Sequence, residues 1–115
     1  MTILHRHMVI CLDTIKDPET KKMLIEEIVS PELNNWPYKI LEISLNEVEG
    51  MCANMFNLVD EGGNNTVIMS NRARNSYSDE NMKILQKNYK VLVADVRHIE
   101  QVGGGSTRCM LAEKF

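Results

Sequence analysis

Cys109 is the residue whose neighbours could do chemistry. It follows Gly103-Gly104-Gly105-Ser106-Thr107-Arg108 and precedes a short apolar run, Met110-Leu111-Ala112. The thiolate, not the thiol, is the nucleophilic form of cysteine, and a flanking arginine favours it. Glycines let a ligand or a second backbone approach closely. The stretch therefore reads as a nucleophile on a glycine-lined ledge. Its other reading is a buried structural cysteine after a glycine turn, because free cysteine is among the most buried residue types. A small α/β domain with an anion-binding glycine loop ranks below both. The loop lacks the Lys-Ser/Thr ending of a phosphate-binding loop, and no helix is expected directly after it.

Around Cys109, Arg108 is either a tuner of the thiolate or a surface arginine. Gly105 and Ser106 line the ledge. Histidine is the usual acid and base near neutral pH, and there are three: His5, His7 and His98. His98 reads as a surface residue. Cys11 and Cys52 read as core, and Asp13 as a loop or capping residue. Three cysteines without CxxC spacing form neither a disulfide framework nor a zinc site. Reduced thiols and a cytoplasmic location follow, and no metal or cofactor is expected.

These residues must be positioned by a modest set of elements. Met8 to Leu12 is a short apolar run that reads as a buried strand. Asp17 followed by Pro18 starts a helix, whose Met23, Leu24, Ile25, Ile28 and Val29 make a wide apolar face ended by Ser30-Pro31. A loop through Asn34, Asn35, Trp36 and Pro37 leads to a strand over Tyr38 to Ser44. Leu45 to Asn54 is a short helix or turn. Met55 to Val59 and Thr66 to Ser70 are strands joined by the turn Asp60 to Asn65. Asn71 to Tyr77 reads as a polar loop. Ser78 caps a helix with Met82, Leu85 and Tyr89 on one face. Lys90 to Val96 is a strand, His98 to Val102 a helical turn, and a last strand starts at Met110.

The list contains a repeat. Val9-Ile10, helix, Tyr38-Lys39-Ile40-Leu41 is echoed by Val67-Ile68, helix, Tyr89-Lys90-Val91-Leu92. Each is followed by a short acidic helical stretch and a small-residue segment, Cys52-Ala53-Asn54-Met55 and then Ser106-Thr107-Arg108-Cys109-Met110. The chain of 115 residues reads as one α/β domain of two repeats, about 8–61 and about 66–115. Repeat architectures bury a core by stacking about three units or more, so the two repeats read as part of a larger assembly or a longer protein.

A net charge of −3 and few aromatics argue against a nucleic-acid surface. No run nears the roughly 18 apolar residues of a membrane span, and neither a secretion signal nor a membrane partner is expected.

Val9 to Lys16, Met51-Cys52-Ala53-Asn54-Met55 and, above all, Ile99 to Glu113 resemble the C-terminal portion of hydrolases in the amidinotransferase and arginine deiminase superfamily. The branch most resembled contains dimethylarginine dimethylaminohydrolases and citrulline-utilisation hydrolases. The resemblance implies a β/α propeller, or pentein, with five ββαβ-type units, of which the two repeats would be two. It implies a cysteine attacking a guanidinium or ureido carbon through a covalent intermediate, and maps that nucleophile onto Cys109. It places Asn54 on the substrate side, where a turn-capping asparagine is the alternative, together with Gly105, Ser106 and Arg108. It expects the catalytic histidine and some substrate-holding carboxylates upstream of Val9, outside His5, His7 and His98. A small guanidino or ureido substrate, no metal, and either a homo-oligomer or a missing N-terminal half complete the expectation. A folded but catalytically silent association module is the alternative.

Overall fold

The computed structural model describes residues 1–32 and 37–112. Of the expected loop, Asn34, Asn35 and Trp36 lie outside the described residues. The chain is mixed α/β, with two three-stranded sheets and six α-helices among the described residues.

The first sheet contains β1 (Thr2–Ile3), β2 (His7–Ile10) and β3 (Lys39–Glu42), with β2 in the middle. β1 pairs antiparallel with β2, and β2 pairs parallel with β3, Val9 opposite Leu41. The second sheet contains β4 (Phe56–Val59), β5 (Asn65–Ser70) and β6 (Lys90–Ala94). It repeats the pattern: β4 is antiparallel to β5, and β5 is parallel to β6, Val67 opposite Val91. A parallel pair needs a crossover. The first sheet uses α1 (Pro18–Val29); the second uses α3 (Asn71–Ser76) and α4 (Asp79–Asn88). α2 (Leu45–Glu49) follows β3, and α5 (Arg97–Gly103) follows β6. α6 (Thr107–Met110) comes last.

Local chemistry explains the helix starts. The Asp17 carboxylate accepts from the Thr20 N–H at 2.9 Å, with Pro18 at the first helical position. Ser44 and Glu47 form a reciprocal capping box on α2. Ser70 and Ser78 cap α3 and α4 by accepting from Ala73 N–H and Asn81 N–H.

The structure corrects several expectations. The first long strand stops at Ile10, and Leu12–Thr14 is a 3-10 turn held by the Thr14 hydroxyl donating to the Cys11 carbonyl at 2.7 Å. The stretch read as a polar loop is α3. It lacks an apolar stripe because only Ala73 within it is buried, so Ser70 capping and the Tyr77 anchor carry it instead. No strand starts at Met110; α6 ends there, and a helix does follow the glycine run. β1 is an added strand. On α1, Ile28 alone is fully buried and Leu24 and Ile25 are half-buried; Met23 is 64% and Val29 42% exposed, so its apolar face is only partly covered.

One core joins the two sheets. Val9 and Leu41 of the first sheet, with Leu4 and Ile43 at its strand ends, pack with Val67 and Met69 of the second, Met55 just before β4, and Leu85 of α4. Side chains on this scale each contribute about 1.5–3 kcal/mol on burial. Polar ties cross the same junction. The Glu47 carboxylate accepts from Ser78 N–H at 2.9 Å and from the Asn81 amide at 3.1 Å, and the Tyr77 hydroxyl donates to the Cys52 carbonyl at 2.6 Å. Buried His7 bonds the Tyr89 hydroxyl at 2.8 Å through Nδ1. No helix among the described residues is long and apolar enough to cross a membrane.

Candidate active site

Cys109 lies on α6, which packs against β5, the central strand of the second sheet. The docking is polar. Thr107 is buried, and its hydroxyl bonds the Asn54 carbonyl at 2.9 Å and reaches the Ile68 carbonyl at 3.4 Å. Asn54 itself is carried by the turn between α2 and β4. That turn contains Met51 at φ 67°, a left-handed conformation that side-chain-bearing residues seldom adopt. Thus the turn between α2 and β4 and the short helix α6 meet at one point.

At that point the Asn54 amide is bound on both sides. Its Nδ2 donates to Cys109 Sγ at 3.1 Å, and its Oδ1 accepts from the Arg108 N–H at 3.0 Å. The Cys109 N–H closes the α6 turn onto the Ser106 carbonyl at 3.0 Å. The thiol is held below its ordinary value, first by the Asn54 hydrogen bond, then by a backbone hydrogen bond from Ser106. Burial opposes this, and Arg108 makes the smallest contribution. The arginine that singled out this stretch is therefore a minor tuner. Its Nη1 is 3.5 Å from the Met55 carbonyl.

The glycine run has two defined jobs. Gly104 caps α5 at φ 67°, where a side chain would be strained. Gly105 leaves room for the cysteine: a Cβ there would lie 3.0 Å from Cys109 Cβ and 3.2 Å from Sγ. Ser106 is fully buried, and its hydroxyl donates to Glu100 Oε1 at 2.5 Å. Its side chain is therefore engaged inside the protein. Glu100 and Thr107 were missed as parts of the site. Their signal lies in pairings six and 53 positions apart, and no local spacing rule marks either.

The three thiols differ sharply. Cys109 is exposed, whereas Cys11 and Cys52 are buried. Burial, with the Glu47 carboxylate adding to it, pushes the Cys52 thiol up to about 12. None of the three imidazoles hydrogen-bonds Cys109. His7 is engaged with Tyr89, and His5 and His98 are exposed. A cleft of about 440 Å³ lined by Asp13, Glu42, Glu47, Glu80 and Asn81 lies where β3 and α2 face α4, and Cys109 is not among its lining residues. No group of three or more His, Cys, Asp or Glu among the described residues is arranged to hold a metal ion.

The family profile of eukaryotic N,N dimethylarginine dimethylhydrolase matches residues 1–115. No curated protein and no solved structure gives a match. The exposed cysteine at the end of a glycine run thus stands in a chain whose whole length fits one family, and the chain belongs to the eukaryotic N,N dimethylarginine dimethylhydrolase family.

Proposed function

We propose that the chain acts in guanidino-group hydrolysis, with Cys109 as the nucleophile and a methylated arginine or related guanidino or ureido compound as substrate. The observation that carries this reading is the exposed Cys109 sulfur, held by the Asn54 amide and shifted toward its thiolate. A guanidinium carbon is deactivated by resonance, so its attacker must be an activated nucleophile. The thiolate adds to that carbon and forms a C–S bond. The C–N bond to the leaving amine then breaks as the amine takes a proton from a general acid. Water, deprotonated by a general base, cleaves the C–S bond and restores the thiolate while leaving a urea-type product.

The acid and base come from outside the contacts of Cys109, since no imidazole bonds its sulfur. This supports reading the two sheets as two of the five units of a pentein propeller, completed by a further segment or a second copy. Surface exposure supports the same arrangement. Ile43, two residues beyond Leu41 in the first sheet, is 1% exposed; Val93, two beyond Val91 in the second, is 44% exposed. The missing imidazole also favours a second reading, a folded association module without turnover.

Incubation of the purified chain with methylated arginines, arginine, citrulline and agmatine, followed by assay of released amine or ammonia and of the ureido product, separates the two readings. Turnover abolished by Cys109→Ser is the expected result. Absence of turnover, persisting on oligomerisation, would leave the silent module standing.

A further inference from the structure

We propose that Asn54 is a positioning residue for Cys109: its carboxamide orients the sulfur and selects the thiolate by presenting a fixed N–H donor to it. This rests on the reading of Cys109 as the nucleophile, but its physical content is independent of turnover.

The two ends of an asparagine amide differ in chemistry but not in shape, so its orientation must come from its partners. Here the partners determine it. The Arg108 backbone N–H is a donor only, and it lies 3.0 Å from one end of the amide. That end must be the carbonyl oxygen. The other end, 3.1 Å from Cys109 Sγ, is then the NH2 group. Sulfur must accept, and a thiolate accepts far better than a thiol because hydrogen bonds to charged partners are roughly twice as strong as neutral ones. The amide cannot turn to favour the protonated form without placing its NH2 against the Arg108 N–H.

The residue is also held at its backbone. The Asn54 carbonyl accepts from the buried Thr107 hydroxyl, which ties residues 54 and 107 together. Three consecutive α6 residues therefore read one asparagine: Thr107 its backbone oxygen, Arg108 its side-chain oxygen, and Cys109 its side-chain nitrogen. A capping asparagine would not need the third of these contacts.

The test is the pH profile of iodoacetamide alkylation at Cys109, followed by mass spectrometry on the intact chain, with thermal unfolding as a control. Asn54→Ala removes the donor and keeps the backbone carbonyl; alkylation at pH 7 should slow about threefold or more. Asn54→Asp keeps the shape and the acceptor for Arg108 N–H but sets a carboxylate beside the sulfur. It should slow alkylation at pH 7 by more than tenfold and move the profile to higher pH. If Asn54→Ala does not fold, the near-isosteric Asn54→Asp decides alone. An unchanged profile in a folded Asn54→Asp protein would overturn the assignment. If both profiles move while the wild-type chain shows no turnover with any guanidino substrate, the positioning role stands and the catalytic reading of Cys109 fails.

Discussion

At the residue scale, the three cysteines divide by surroundings rather than by type. Cys109 has an amide donor, a backbone donor and open solvent; Cys52 has a sealed core and a nearby carboxylate. In the native protein one thiol should react rapidly with a disulfide reagent and two should resist, with all three reacting after denaturation. Rapid reaction of two native thiols would contradict this burial pattern. Cys109→Ser should abolish labelling by a haloacetamidine and leave thermal stability close to wild type, because the side chain is exposed.

At the element scale, the segment leading into α6 is held by a buried hydroxyl–carboxylate pair. Glu100→Ala leaves the Ser106 hydroxyl buried without its acceptor. A loss of about 1–3 kcal/mol in denaturant unfolding is expected. Ser106→Ala in the same background should recover part of it, since both polar partners are then gone. Glu47 plays the larger part between elements, where its carboxylate serves Ser44, Ser78 and Asn81 together. Burial pushes that carboxyl up, but the donors from Ser78, Ser44 and Asn81 outweigh it and hold it below the ordinary range. A depressed carboxyl stabilises the fold above its unfolded value, about 4.3, and that contribution is lost as pH falls through the folded value.

At the scale of the whole molecule, His7 adds a second acid-sensitive window. Burial, then the Lys39 ammonium, keeps its imidazole below the ordinary value while Tyr89 holds its Nδ1. The unfolded chain takes up a proton near pH 6.5 that the folded chain resists. The unfolded state then binds more protons, so stability falls as pH drops from about 6.5. Denaturant titrations between pH 7.5 and about 5 should show this slope, and His7→Gln should flatten it. The uncovered apolar positions point to association. Val93 and Ile99 are partly exposed and Val102 is 91% exposed, a distribution that invites a covering partner. Light scattering should find an oligomer, and Val93→Lys with Val102→Glu should shift it toward monomer. A monodisperse wild-type monomer would oppose that reading.

Strong local chemistry was readable in the sequence. Asp17-Pro18, Ser78 and the Asp60 to Asn65 turn specify their own backbone, so the start of α1, the start of α4 and the β4–β5 connection follow from neighbours in the chain. The same is true of Met82, Leu85 and Tyr89, whose spacing marks one buried face. Elements without such a stripe carry no such local signal. α3 buries only Ala73, and α6 is four residues long beside a glycine run, so neither carries a helical period. Gly103 to Met110 declared a cysteine worth watching, by residue type alone. Whether that cysteine was buried or exposed, and which group tuned it, depended on where the chain placed Asn54. That asparagine is 55 positions away, and Arg108, adjacent in sequence, is the weaker influence. Hydrogen bonds act over about 3 Å, and only the packing of the α2–β4 turn on α6 brings those atoms within reach.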